Sequence, residues 1–514
     1  MPEFDVESMI DTTLAAPEWL HFGAGNIFRA FLACNLQKLL ETGAAKTGIS
    51  VAESYDGEII DKIYKPYDNL SMAISMKVDG SFDKMVTASV AESLAADITR
   101  PDDWARLTQI VESDSLKMVS FTITEKGYSI TDRNGDYLGI IKQDIQNGPQ
   151  KPVHVISIVA SLLLKRFEAG ATPIAVVSMD NCNKNGEKLR NSVLAVAKEW
   201  HNAGFVDDKF MDYICDESVV AFPWSMIDKI TPRPSEKVQQ HLLGLGIDDA
   251  QILVTNKHTY IGNFVNAEVT QYLVVEDNFP NGRFPLEQTR GIIFTDRDTV
   301  NRIETMKVTT CLNPLHTALA VLGCLLQYTL IADEMKDTEL KKLAHMIGYK
   351  EGLPVVVDPG VINPKAFIDE VVEQRFVNPY IPDTPQRIAT DTSQKVAIRF
   401  GETIKSHVES EELDAKDLIG IPLAIAGWFR YLLAVDDEGQ PFELSPDPML
   451  EVLLPQLEGI KLGDRNVSIK HLIENEKLFG LDLYEAGLVD KINGMFNEMI
   501  RGKGAVRATL VKYL

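Results

Sequence analysis

Residues 21–31 read HFGAGNIFRAF. Two glycines one residue apart follow a short apolar run and precede a helix-like pattern. That arrangement suits a tight turn from a strand into a helix, whose free backbone N–H groups can hold a pyrophosphate. In this reading residues 20–22 end the strand, and Gly23, Gly25 and Asn26 form the turn. A helix then runs from Ile27 to about Glu41 and stops at Gly43. The third glycine of a GxGxxG pattern is absent, because position 28 is Phe28, and Arg29 beside it is placed to touch a phosphate. A second apolar run, ISVAES, carries Glu53 near its end. A carboxylate there accepts hydrogen bonds from an adenosine ribose and repels a 2′-phosphate, which favours NAD over NADP. Asp56 competes for that role, and GxG before a helix also fits a plain structural turn. The nine histidines and five cysteines contain no HxxxH, HxH or CxxC pair, so neither a metal site nor a disulfide framework is expected.

The elements that must position such a turn are legible as texture. ISVAES, KMVSFTIT, TPIAVVSM and DAQILVTN read as short buried strands, with helical patterns such as 28–41 and 152–168 between them. From about residue 290 the apolar spacing becomes helical. The expected fold is therefore α/β: a Rossmann-like doubly wound domain over residues 1–290, then a mostly α-helical domain over 291–514. The 514 residues carry a net charge of −23, which argues against nucleic acid or an anionic membrane as partner. The acidic start, MPEFDVESMIDTT, lacks a leader's apolar core, and no apolar run approaches the roughly 20 residues of a membrane span, so a cytoplasmic location is expected.

Further motifs follow in order: TITEKGY (122–128), SMDNCNKNG (178–186), MIDKITPRP (226–234), MKVTTCLNPLH (306–316) and RFVNP (375–379). Together with HFGAGNIFRAF they resemble the polyol-specific long-chain dehydrogenases, the mannitol dehydrogenase family, over about residues 20–450. The resemblance implies hydride exchange between NAD and a sugar-derived secondary alcohol without a metal. It implies Lys307 as general acid or base, Asn181 and Asn313 as the amide pair that polarises the reacting oxygen, and His316 as the orienting residue. It further implies Asp228 and Arg375 at the substrate, and Glu304 in proton exchange with solvent. Glu125, Lys126 and Gly127 fall in the loop on the nicotinamide side. The chemistry is consistent with the residue types. A lysine is a base only where burial or nearby cations disfavour its charged form, and amides donate hydrogen bonds without titrating. Cys182 and Cys311, each near one of these residues, read as bystanders.

One spacing departs from the family's. Five residues, VTTCL, separate Lys307 from Asn313 where four are usual. On a regular helix the extra residue swings Lys307 about 100° around the axis, onto the face opposite His316. A π-turn can absorb it; alternatively a new helix starts with Asn313 as N-cap and Pro314 behind it. A helix interruption that keeps Lys307 at the site is the preferred reading. Arg375, Arg233 and Lys395 collect positive charge in an acidic chain. That leans the substrate toward a keto-uronate, fructuronate to mannonate, ahead of tagaturonate/altronate and of fructose/mannitol. A nicotinamide-binding sensor without turnover is the alternative of another class. The partner expected is a small sugar acid or polyol, and the assembly a monomer or small homo-oligomer.

Overall fold

Short strands buried on both faces read as continuous apolar runs because no side of them meets water. In the computed structural model, which describes residues 2–514, six such strands make one sheet: β1 (Trp19–Phe22), β2 (Ile49–Glu53), β3 (Val90–Ala95), β4 (Met118–Phe121), β5 (Ile174–Ser178) and β6 (Val220–Ala221). Their spatial order is β3-β2-β1-β4-β5-β6, with every pairing parallel. The order reverses between β1 and β4. The crevice past their carboxyl ends is the switch point at which such sheets bind ligands.

Alternate strand residues feed two cores. Leu20, Phe22 and Phe121 pack with α2 (Val155–Glu168) and α3 (Asn185–Asn202) on one face. Trp19, Val51 and Val177 pack on the other with Phe28, Phe31, and Leu36 of α1 (Cys34–Glu41). DAQILVTN does not join this sheet. Its strand Ile252–Val254 pairs only with Tyr260–Gly262 as a hairpin, and Val254 is exposed, so this run caps the domain instead of filling it.

The chain divides between Asn301 and Arg302. Beyond α4 (Arg297–Met306) the second unit is helical, built on α5 (Asn313–Leu325), α6 (Gly420–Tyr431) and α7 (Val489–Met499). Helix α6 packs against both α5 and α7. Every residue of α6 is buried, as expected of a central helix. Gly427 permits its close approach to α5, since a Cβ there would lie 2.8 Å from Leu322 Cδ2. The N-terminus of α6 is capped from a distance: Glu351 accepts from the N–H groups of Ile419, Gly420 and Ile421 at 2.6–2.8 Å. By length and composition the segment Arg297–Leu325 would suffice to cross a membrane, but its most apolar window is 83% buried within the protein.

Gly23 sits at φ 106°, and a Cβ there would lie 2.2 Å from the Thr122 carbonyl oxygen. Gly23→Ala is expected to cost about 2–4 kcal/mol, read as a lower urea midpoint at unchanged m-value. An unchanged midpoint would mean that the turn relaxes freely.

Candidate active site

In the first unit the candidate site grows from the glycine turn. After Phe22 the chain turns at Gly23, whose N–H donates to the Ala52 carbonyl at 2.8 Å, and helical geometry begins at Asn26. The first N–H groups of that helix have no intrahelical acceptor and face any anion placed there. Gly25 has open space where a Cβ would be. Residues Phe28–Ala33 form a wider, π-helical turn. Phe28, at the place of the missing third glycine, is fully buried and stacks on His21 with ring centroids 4.3 Å apart. The His21 ring is wedged between the Ser120 and Thr122 hydroxyls, and burial lowers its pKa to about 3, so it is a neutral packing element. Arg29 does not face outward: it is 1% exposed, with Tyr64 across its guanidinium. Direct contact with a phosphate is not available to it in this conformation.

Glu53 has a structural task beside the expected one. It borders a pocket of about 510 Å³ past the ends of β2 and β3, where an adenosine would lie. Its carboxylate, however, is 8% exposed and already engaged. One oxygen accepts from Ala24 N at 2.9 Å, the other from Tyr55 N at 2.7 Å and Asp56 N at 3.1 Å. Burial pushes its carboxyl up against the pull of those amides. The rival Asp56 is committed too, accepting from the Thr255 and Thr259 hydroxyls at 2.6 and 2.7 Å. These bonds anchor the hairpin, whose Asn256 and Lys257 also line the pocket. The side chain free to meet an adenosine is Tyr55, 67% exposed, with Lys257 Nζ 4.5 Å from its ring centre.

At the carboxyl end of β4, residues 122–128 are held by Asp180, which lies past β5. Asp180 accepts from Ile123 N (2.8 Å), Thr124 N (3.0 Å) and the Tyr128 hydroxyl (2.6 Å). The grip holds Thr124 at φ 66°, unusual for a β-branched residue. Glu125 and Lys126 are exposed on this turn, with Glu125 paired to Lys188; Gly127 is half-buried beneath them. Asn181, next to Asp180, is exposed. Asn185 ties its loop to the strand Ser225–Asp228 through Asp180 O and Ser225 Oγ, both at 2.9 Å. Asp228 ends that strand, 6% exposed.

The helical unit carries the other residues expected at the site. Helix α4, carrying Glu304, runs into a π-turn over Lys307–Cys311, closed by Leu312 N donating to Lys307 O at 3.1 Å. Leu312 then breaks the helix (φ −129°, ψ −61°), and α5 starts anew with Pro314 in its first turn. A π-turn and a helix restart thus occur together, the restart one residue earlier than expected. The N-cap is Leu312, so Asn313 is the first helical residue and its amide does no capping. Among the described residues the Asn313 side chain has no hydrogen-bond partner. Lys307 is 2% exposed.

His316, one turn into α5, lies 5.0 Å from the Phe376 ring, beside Arg375 at the end of the π-turn Val371–Arg375. Its Nε2 is 2.6 Å from Asp383 Oδ2, in a contact poorly aligned for an N–H hydrogen bond. Asp383 also pairs with Arg387. Burial raises its carboxyl, but His316 and Arg387 outweigh that and hold it below the usual range. Sequence reasoning missed Asp383; its only local signal is a turn-type aspartate before Thr384. The five cysteines form no disulfide, and burial pushes the Cys311 thiol up to about 12. Among the described residues no three His, Cys, Asp or Glu side chains group to hold a metal ion.

Residues 17–288 match the family model described as the mannitol dehydrogenase Rossmann domain, and residues 299–500 match its C-terminal domain. The D-mannonate oxidoreductase of Thermotoga maritima is 54% identical over 513 residues, covering 99% of this chain and 94% of that protein. A D-sorbitol dehydrogenase crystal structure in substrate-free form aligns at TM-score 0.82 and 26% identity, covering 99% of this chain and 96% of the other. The Pseudomonas fluorescens mannitol 2-dehydrogenase ternary complex with NAD and D-mannitol aligns at 0.71 and 25%, with the same coverage.

Asp383→Asn removes the charge that faces the His316 ring. It is expected to lower kcat about 10- to 100-fold, the scale of losing the partner that orients a site imidazole. Steady-state kinetics checks this; unchanged kcat would leave Asp383 as a brace for Arg387.

Proposed function

The chain belongs to the mannitol dehydrogenase family, and we propose that it interconverts D-fructuronate and D-mannonate with NAD. It is an oxidoreductase acting on a secondary alcohol. The observation that carries the substrate is the 54% identity to D-mannonate oxidoreductase over nearly the whole of both chains. The open glycine turn, the fresh helix N-terminus and the 510 Å³ pocket past β2 and β3 are of the right kind for NAD. When bound, the nicotinamide supplies the hydride chemistry.

In this reading Lys307 moves the proton of the substrate hydroxyl. Its burial supports the role, because removal from water works against the ammonium. The amides of Asn181 and Asn313 donate to the oxygen as negative charge develops on it. Asn313 is suited to this by having no other partner in the described structure. His316, held by Asp383, orients the substrate together with Arg375 and Asp228, and Glu304 passes the proton to solvent. Gly23, Gly25, Asn26 and the turn at Glu125, Lys126 and Gly127 hold the cofactor, while Phe28, Arg29 and Glu53 shape that site from behind. The π-turn absorbs a residue between Lys307 and Asn313, which supports the catalytic reading over the sensor. The partner is a small sugar acid, and the enzyme works in the cytoplasm as a monomer or small homo-oligomer.

A screen of NADH and NADPH oxidation with fructuronate, tagaturonate and fructose tests the proposal; fructuronate with NADH is expected to give the highest kcat/KM. Turnover of fructose alone would overturn the uronate. Lys307→Ala is expected to lower kcat about 10³-fold. Activity that survives with an unchanged pH profile would remove Lys307 as the base.

A further inference from the structure

Among the arginines largely removed from water, four differ in what their donors meet. Arg166 is saturated by carbonyls, donating to Thr172, Val111, Ser113, Leu116 and Pro173 at 2.7–3.1 Å. Arg430 likewise donates to the carbonyls of Met499, Val435 and Asp436. Arg29, 1% exposed with Tyr64 across its guanidinium, has no hydrogen-bond partner for its three guanidinium nitrogens. Arg399 is of another kind. It is half-buried and makes a single hydrogen bond, from Nη1 to the Thr317 hydroxyl. Among the described residues no carboxylate pairs with it.

Its place in the fold is specific. Arg399 lies in the π-turn Ala397–Gly401, which packs against the turn Lys307–Cys311 and against α5. Thr317, its partner, follows His316 directly. Lys395, one turn earlier, spends two donors on the Ile388 and Thr390 carbonyls and has a third left. A chain of net charge −23 therefore keeps two cations, one wholly without a counter-ion, next to the helix that carries His316. Removing a guanidinium from water without an anion is unfavourable. The arrangement is explained if the anion arrives with the ligand.

Resting on the uronate reading above, we propose that Arg399, with Lys395 behind it, receives the carboxylate of a six-carbon keto acid and so selects uronates over neutral ketoses. The planar fork of Arg399 matches a carboxylate in two parallel bonds, with Thr317 holding its remaining edge. Lys395 adds field and a pH dependence. Burial and the neighbouring Arg399 lower its pKa to about 8, against the pull of Asp391 and Asp447 and with a further push from Arg387. Its charge is present at neutral pH and lost above it, so uronate binding should weaken in that direction.

The test assays the wild type, Arg399→Gln, Arg399→Lys and Lys395→Met with NADH against D-fructuronate and D-fructose. In Arg399→Gln the fructuronate-to-fructose ratio of kcat/KM is expected to fall about 100-fold, mostly through KM, and Arg399→Lys to recover part of it. Equal losses on both substrates would make Arg399 a brace for α5 and overturn the proposal, as would an unchanged ratio. The wild-type KM for fructuronate is expected to rise from about pH 7 to about pH 9, and this rise to vanish in Lys395→Met. A rise that persists there would overturn the part given to Lys395. A wild type that reduces fructose and ignores fructuronate would instead overturn the substrate reading itself, before any variant is compared.

Discussion

Backbone N–H groups at the ends of strands and helices need an acceptor once water is excluded, and buried carboxylates supply it at several places in this fold, three of them central to the architecture. Glu53 joins the glycine turn to the end of β2 through Ala24, Tyr55 and Asp56. Asp180 joins the end of β5 to the turn after β4 through Ile123, Thr124 and Tyr128. Glu351 caps α6 through three successive amides. In each case burial raises the carboxyl's pKa while the amides lower it. The first two fasten the loops on either side of the switch point, so that crevice is shaped before any ligand arrives.

These clamps also explain where the sequence misleads. An acidic residue at the end of the second strand of such a sheet has two uses, holding a ribose or holding its own loop. Residue type and position are identical for both. Glu53 is therefore legible as important, while its hold on its own loop shows only in the three donors around it. Asp383 is silent for a related reason, because its partner His316 is remote in sequence and only the tertiary fold joins them. Strand β3 escapes notice because Glu92 and Ser93 interrupt its apolar run. Glu92 is nevertheless accommodated, paired with Arg106 and accepting from the Ser50 hydroxyl. DAQILVTN shows the converse: a run apolar enough for the core, placed in an exposed hairpin by the turn that follows it.

What composition and spacing did make legible is the alternation of short buried strands with helices, the change to helical texture, and the strain in the Lys307–His316 spacing. The last is a matter of arithmetic. A regular helix has no room for an unscheduled residue, so the chain must widen or break, and here it does both within six residues.

The same widening recurs. Lys307 opens one π-turn, Arg375 closes another, Arg399 lies within a third and Arg29 within a fourth. Each such turn shifts the angular phase of the helix that follows by about 100° per added residue, while packing before it stays in register. Chain length then acts as a dial. Lengthening or shortening a helix by one residue can re-aim a functional side chain without redesigning the core that carries it. A scaffold built this way has a route to new substrates through single-codon insertions and deletions, as well as through exchange of one amino acid for another.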